Sequence, residues 1–328
     1  MKALVTGGGG FLGAAIVRKL REQGVQVRSL SRSRYPDLDP LGVEQIHGDL
    51  SDYAAVANAI SGCDLVYHVG AKAGVWGPLQ DFYRINVTGT RNVIAACKVE
   101  RVQRLIYTSS PSVVFDGNDM EGVDESVPYP LHYDAFYPQT KAEAERMILA
   151  ANCPELSTVA LRPHLIWGPG DNHLLPRMVA RARAGQLRRI GSQKKLIDTV
   201  YIDNAADFHL LAAERLSPAS PVAGKAYFIS QGEPVEIWEM VNSLLATAGL
   251  PPVNKKIPTG LAMFLAHVFE IVHKIAKRKD EPRLTRFVVR ELTTAHWFNI
   301  RAARRDLHYQ PHVSIQEGLE RLSKVQKS

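Results

Sequence analysis

Cysteine is scarce in this chain. Cys63, Cys97 and Cys153 stand far apart and form no CxxC pair, which excludes a disulfide framework and a cysteine-ligated zinc cluster. No metal site is expected. No low-complexity tract and no internal repeat is visible, so repeat architectures drop out. No apolar run is long and unbroken enough to span a bilayer. No signal peptide precedes the first strand, so the expected compartment is a reducing cytoplasm. Acid is outnumbered, with 33 Asp and Glu against 40 Lys and Arg, a net charge of +7.

The charge imbalance is local. Between Asn172 and Ile197 lie Arg177, Arg181, Arg183, Arg188, Arg189, Lys194 and Lys195, with no acid among them. Between Lys274 and Arg305 ten Lys and Arg face Asp280, Glu281 and Glu291. The first reading is solvated surface; an anionic substrate or an acidic membrane is the second. No nucleic-acid recognition module accompanies the charge. What is present is ordinary for a soluble globular chain, 45% hydrophobic and 22% charged. At 328 residues the prior is two domains, or one large α/β unit with an elaboration.

The first thirteen residues organise the rest. Lys2 to Thr6 reads as a buried strand, Gly7-Gly8-Gly9-Gly10-Phe11-Leu12-Gly13 as a turn, and Ala14 to Leu20 as a helix. Glycines spaced three and three between strand and helix are a dinucleotide-binding pattern. Gly7 permits the tight turn, Gly10 lets backbone approach a pyrophosphate, and Gly13 lets helix and strand pack closely. The helix N-terminus then offers N–H groups and a positive dipole end to phosphate.

Strand two, Gly24 to Leu30, ends where an NAD site usually places an acid to bind the ribose 2′-OH. Here Ser31 stands instead, followed by Arg32 and Arg34. Ser and Arg can bond and neutralise a 2′-phosphate that a carboxylate would repel. NADP(H) is therefore favoured, with NAD(H) the alternative. Val43 to His47 is a third strand, and the Asp49 after it either accepts from an adenine amino group or caps the helix starting near Asp52. Asp64 to His68 is a fourth strand, leaving through the small-residue loop Val69-Gly70-Ala71-Lys72-Ala73-Gly74. His68 reads first as a packed strand histidine. A long helix from Asp81 to Lys98 and a fifth strand from Arg104 to Ser109 continue the alternation. The fold class is α/β, a doubly wound parallel sheet.

The fifth strand ends in Tyr107-Thr108-Ser109-Ser110-Pro111-Ser112. Downstream comes Tyr137-Pro138-Gln139-Thr140-Lys141. Pro138 suits a first helical turn, and Tyr137 and Lys141, four apart, share a helix face. A free phenol has a pKa near 10, which a neighbouring ammonium would lower. A serine hydroxyl from the strand end can bond a substrate carbonyl. Those groups make a general acid with an activator and an oxygen-binding group.

Several motifs together resemble the extended short-chain dehydrogenase/reductases: Thr6-Gly7-x-x-Gly10-Phe11-x-Gly13, Asp49-Leu50, Asn86-Val87-x-Gly89-Thr90, Ser109-Ser110, Tyr137-x-x-x-Lys141, and Leu161-Arg162-Pro163 with Gly168-Pro169-Gly170-Asp171. Within that superfamily, Ala71 to Gly77, Tyr107 to Val113 and Val200 to Ala205 resemble the 3β-hydroxysteroid dehydrogenase-like branch. The resemblance implies a catalytic set of Ser110, Tyr137 and Lys141. It also implies a cofactor site built from Gly7, Gly10, Phe11, Leu12, Gly13, Ser31, Arg32, Asp49, Leu50, Gly70, Ala71, Lys72, Tyr137, Lys141 and Pro163, with Pro163 beside the nicotinamide. Gly70 stands where the branch usually has Ala. The implied reaction interconverts a ketone and a secondary alcohol on an apolar substrate. That is either reduction of a 2-alkyl-3-oxoalkanoate, a β-keto acid, to the 3-hydroxy acid, or oxidation of a 3β-hydroxysteroid or sterol. A homodimer is implied in the same way. Two other functions stay open: an NAD-dependent nucleotide-sugar epimerase or dehydratase, and a non-catalytic NADP-binding protein.

Beyond a sixth strand, Thr158 to Arg162, simple alternation stops. Asn172 to Ala184 reads as a basic helix, Asp203 to Glu214 as another, and Ala226 to Ile229 as a short strand. The expected division is a dinucleotide-binding domain over 1–166, to which 198–230 return, and a mostly helical substrate lobe over 167–197 and 231–328. One segment, Gly260 to Ile275, is apolar with sparse polar breaks and runs into Lys277-Arg278-Lys279. It fits a core helix, a wall of an apolar pocket, or an interfacial helix anchored by its basic tail, so 258–279 is a candidate for peripheral membrane contact.

Overall fold

The computed structural model describes residues 1–278 and 280–327. Lys279 of the basic tail and Ser328 at the end of the expected lobe lie outside the described residues. Seven strands form the main sheet: β1 Lys2–Thr6, β2 Gln26–Ser31, β3 Glu44–His47, β4 Leu65–His68, β5 Arg104–Thr108, β6 Ser157–Pro163 and β7 Lys225–Ile229. Their order is 3-2-1-4-5-6-7, all parallel. Chain order reverses beside β1, so the crevice at the carboxyl ends of β1 and β4 is the place where such sheets hold ligands. Thr6 lies in register with His68 there.

Helices cover both faces because the strands are apolar on both. On one face Phe11–Glu22 and Ile202–Arg215 bury residues such as Ile16, Val17, Phe208 and Ala212. On the other, Val56, Ile60, Val93, Cys97, Ala144 and Ile148 pack over Leu4, Val66 and Leu105. The helix expected over Asp81 to Lys98 is three pieces in line. Leu79–Phe82 and Gly89–Val99 are α-helical, and Tyr83–Thr88 between them is a π-turn. Widened turns of this kind often accompany a function, and this one presents Asn86.

Sequence patterning missed a second, smaller sheet. It orders Val235–Glu236, Leu196–Ile197, His296–Phe298 and Met120–Val123. These strands of two to four residues are too short to show a period. Met120–Val123 joins it from ahead of residue 166, pairing with His296–Phe298. Around it lie the helices Leu174–Arg183, Ile237–Thr247, Thr259–Ile275 and Arg286–Glu291. Asp171 sets the start of the basic helix, its carboxylate accepting from the backbone N–H of His173, Leu174 and Leu175 at 2.8, 3.1 and 2.8 Å. Among the described residues no helix is long and apolar enough to cross a membrane.

Candidate active site

The glycine turn is shaped by contact. Gly7 has φ +68°, and a Cβ on it would lie 2.9 Å from Gly70 Cα. A Cβ on Gly13 would lie 2.1 Å from the Gly7 carbonyl oxygen, so this helix seats only because residue 13 has no side chain. Gly10 is the N-cap and no side chain caps that helix end. Beside the turn, a chain of hydrogen bonds fixes the β4 exit. Thr90 donates to Asn86 O at 2.6 Å, so its oxygen accepts from His68 Nε2–H at 2.9 Å. His68 Nδ1 is then bare and accepts from Thr6 at 2.9 Å, and Thr6 accepts from Gly70 N–H at 3.0 Å. Burial pushes His68 down to about 3, so it is a neutral structural histidine, as its place on the strand predicts.

Asn86 finishes the job. Its amide accepts from Lys72 N–H at 2.8 Å, donates to Lys72 O at 3.1 Å, and donates to Thr140 Oγ1 at 3.0 Å. The loop after β4 and the helix Phe136–Ala150 are thereby fixed to each other. That helix carries Tyr137 and Lys141 on one face. Lys141 is 2% exposed, donates to the Thr108 carbonyl at 2.5 Å, and lies 4.0 Å above the centre of the Tyr107 ring. Burial pushes it down to about 7, opposed by Glu145. Glu145, one turn on, is fully buried and paired with Arg162 at 2.7 and 3.0 Å, and accepts from Tyr129 at 2.6 Å.

Burial pushes Tyr137 up to about 12, with the Ser110 hydroxyl pulling the other way. Burial, rather than the expected lowering by Lys141, dominates at Tyr137, and burial also disfavours the charged form of Lys141. Ser110 leaves β5 in extended conformation, φ −159° and ψ 146°, accepts from Ser112 N–H at 3.2 Å and shares a hydrogen bond with the Ser112 hydroxyl at 2.8 Å. Ser110, Tyr137 and Pro163 open onto one cavity of about 480 Å³. Its walls are mostly apolar, with Phe115, Met178, Trp238, Leu244 and Phe287 among them.

Residues 4–259 match the 3-beta hydroxysteroid dehydrogenase/isomerase family. The chain belongs to that family. It is thus an NAD(P)-dependent oxidoreductase acting on hydroxyl or keto groups. Among relatives, a 2-alkyl-3-oxoalkanoate reductase of Stenotrophomonas maltophilia is 51% identical, over 98% of each chain. A decarboxylating sterol-4-alpha-carboxylate 3-dehydrogenase of Mus musculus is 33% identical, over 98% of this chain and 89% of that one. Of solved structures, gox2253 superposes with a TM-score of 0.79 at 26% identity, over 99% of this chain and 97% of that one. MoeE5 in complex with UDP-glucose and NAD gives 0.75 at 24% identity, over 100% and 99%, a likeness of fold.

The residues present fit the nicotinamide cofactor of this family. The glycine turn leaves bare backbone where a Cβ would intrude, and the helix end behind it is uncapped. At the end of β2, Ser31 is half-buried and Arg32 exposed, with no ion-pair partner for Arg32 among the described residues. Leu12 is buried in the first helical turn, beside half-buried Phe11. Asp49 is held by Ser51 and by Arg84 at 3.1 Å and does not cap the next helix. Asp52 does, accepting from Ala54 N–H at 2.9 Å. Leu50 fills the gap between Gly70 and Gly89, where a Cβ would lie 3.2 and 2.8 Å from it. Ala71 is exposed, and Lys72 sits 3.9 Å from Asp81.

Sequence reasoning passed over a polar layer in the cavity wall. His296 Nε2 donates to the Glu291 carbonyl at 2.8 Å, so its Nδ1 accepts from His164 Nε2–H at 2.6 Å. Burial holds His164 well below the usual imidazole range and pushes Asp198, whose carboxylate accepts from Phe298 N–H at 2.7 Å, up to about 6. His164 and His296 are 132 residues apart in sequence, and no local signal joins them. Asn86 and Thr90 were legible only as part of a resemblance, although two polar residues four apart in a buried helix are a signal that they bond something.

Proposed function

We propose that this oxidoreductase uses NADPH to reduce a 2-alkyl-3-oxoalkanoate to the corresponding 3-hydroxy acid. The observation carrying this is the apolar cavity with Ser110 and Tyr137 hydroxyls and Pro163 in its lining. The 51% identity to a reductase of that name supports the substrate class. Met178, Trp238, Leu244 and Phe287 suit an alkyl chain better than a nucleotide sugar, and Arg177 and Arg181 are the cations in the same lining.

When bound, the nicotinamide supplies the hydride. The chain's own residues do the rest. Gly7, Gly10 and Gly13 hold backbone against the pyrophosphate, and Ser31 with Arg32 receives the 2′-phosphate. The Ser110 and Tyr137 hydroxyls donate hydrogen bonds to the carbonyl oxygen. Tyr137 passes its proton to that oxygen as negative charge develops there. A phenol pushed up to about 12 keeps its proton at neutral pH, the state that a reduction consumes. Lys141, one turn along the same helix face as Tyr137, would hold the cofactor ribose. In this reading 1–166 and 198–230 bind the cofactor, 167–197 and 231–328 bind the substrate, and the working unit is a homodimer.

The deciding experiment follows cofactor oxidation with NADPH and NADH in parallel, offering 2-alkyl-3-oxo acids and 3-ketosteroids. Turnover of the keto acids with NADPH well ahead of NADH is expected. Turnover of ketosteroids alone would move the chain to the sterol reading. No turnover with a retained, co-purifying NAD would favour the epimerase reading.

A further inference from the structure

The basic stretch between Asn172 and Ile197 is not one surface. Arg189 pairs with Glu236 at 3.2 Å and Lys195 with Asp119 at 2.5 Å. Arg188 donates to the Gly185 and Leu187 carbonyls. Arg183 and Lys194 are exposed to solvent. Arg177 and Arg181 differ from these, because they stand in the lining of the cavity onto which Ser110 and Tyr137 open. The helix Leu174–Arg183 puts them there. Leu174, Arg177, Met178 and Arg181 follow the spacing i, i+3, i+4, i+7 and share one face, and all of them line the cavity.

The two arginines are not equivalent. Arg177 is paired with Glu281. Arg181 is half-buried and has no hydrogen bond or ion pair among the described residues. Burial pushes it below the usual guanidinium range, Arg177 beside it adds to that, and Glu281 opposes it. The other acid in the lining, Glu291, is pushed up by burial and feels His296 rather than Arg181. Arg181 is therefore a cation without a counter-ion of its own, set in walls that are mostly apolar. A partly desolvated charge is costly unless an opposite charge meets it. Its planar fork also matches a carboxylate with two parallel hydrogen bonds.

We propose that Arg181 takes the carboxylate of the substrate and so selects a keto acid over a neutral ketone. This rests on the reductase reading and adds a recognition residue to it. In a 3-oxo acid the carboxyl carbon lies two bonds from the keto carbon. With the carboxylate on Arg181 and the keto oxygen on Ser110 and Tyr137, the polar head of the molecule is held at both ends. The alkyl chains are left to the apolar wall. Arg177 has a supporting part: by engaging Glu281 it keeps that carboxylate from claiming the Arg181 guanidinium. A ketosteroid without a carboxylate gives Arg181 nothing to bind.

The test measures NADPH-dependent reduction of a 2-alkyl-3-oxo acid beside its methyl ester, which lacks the negative charge. The parent chain should prefer the acid. Arg181→Met should lower the acid-to-ester ratio of kcat/KM roughly tenfold to a hundredfold, the loss of a charge-assisted contact, with the Kd for NADPH unchanged. Arg181→Lys keeps the charge but not the fork, and should recover part of the ratio. Arg183→Met, on the same helix but in solvent, should leave the ratio as in the parent. Equal turnover of acid and ester by the parent would overturn the proposal and leave the reductase reading standing. An Arg181→Met ratio equal to that of the parent would do the same. So would an Arg183→Met ratio that falls as far, since the effect would then be the general field of a basic helix. Turnover of neither compound would overturn the reductase reading and the proposal with it.

Discussion

The buried pair under the helix Phe136–Ala150 sets up a quantitative test. Glu145 and Arg162 have side chains 0% and 3% exposed, with Nη2–Oε1 at 2.7 Å and Nε–Oε2 at 3.0 Å. Tyr129 donates a third bond at 2.6 Å. Nη1 of the same guanidinium is buried without a partner, so Arg162 has no reserve of hydrogen bonds. Glu145→Gln removes the charge and leaves a buried cation uncompensated, a change that costs about 3–5 kcal/mol. For a chain of this length that is roughly a 4–7 °C fall in melting temperature. Adding Arg162→Met removes the orphaned charge, and the double variant should recover most of the loss, since apolar replacement of a buried pair is often neutral. Glu145 also supports the ammonium form of Lys141. The single variant should therefore move the Lys141 limb of the pH–rate profile further below about 7. Thermal melts of both variants beside pH–rate profiles measure all of this. A loss under about 1 kcal/mol for Glu145→Gln, or a double variant no more stable than the single, would refute the account of that pair.

Tyr137→Phe should lower turnover about a hundredfold to ten-thousandfold, the range for a lost general acid, with cofactor affinity kept; near-normal kcat would remove Tyr137 from the mechanism. Gly13→Ala drives a Cβ to 2.1 Å from the Gly7 carbonyl and 2.9 Å from Gly8 Cα, both backbone. We expect about 1–3 kcal/mol of destabilisation from overpacking and loss of NADPH binding, and an unchanged fluorescence titration would count against the glycine turn as the pyrophosphate site. Arg32→Glu should weaken NADPH roughly tenfold to a hundredfold relative to NADH, as a charge-assisted bond becomes a repulsion; an unmoved ratio of the two Kd values sinks the 2′-phosphate assignment. His68 and His209, pushed by burial down to about 3 and about 4, are neutral in the fold and take up protons on unfolding below pH 6.5. Their contribution is present above that pH and fades as pH falls toward the folded values, by about 2 kcal/mol each at pH 5. Urea melts at pH 7 and pH 5 read the difference, and equal stability at both would contradict it.

Local, spacing-coded features were readable from the chain alone. A glycine every third residue between strand and helix, a tyrosine four before a lysine, and a strand end with Arg where acid is usual each lie within a few residues. Backbone geometry therefore dictates their arrangement without help from the rest of the molecule. Alternating strands and helices likewise determined the parallel sheet. Tertiary structure alone decided what depends on distant partners. Thr6, His68, Asn86 and Thr140 meet because β1, β4 and two helices converge. His164 finds His296 through a sheet of two- to four-residue strands that leave no periodic trace. The segment Gly260 to Ile275 shows the limit most plainly. Its period marks a helix, but not which face turns inward, because apolar side chains occur on both. Packing chose Ala262 and Ala266 for the interior, since small side chains let helix backbones approach closely. That choice left the large side chains outside, beside the lysines.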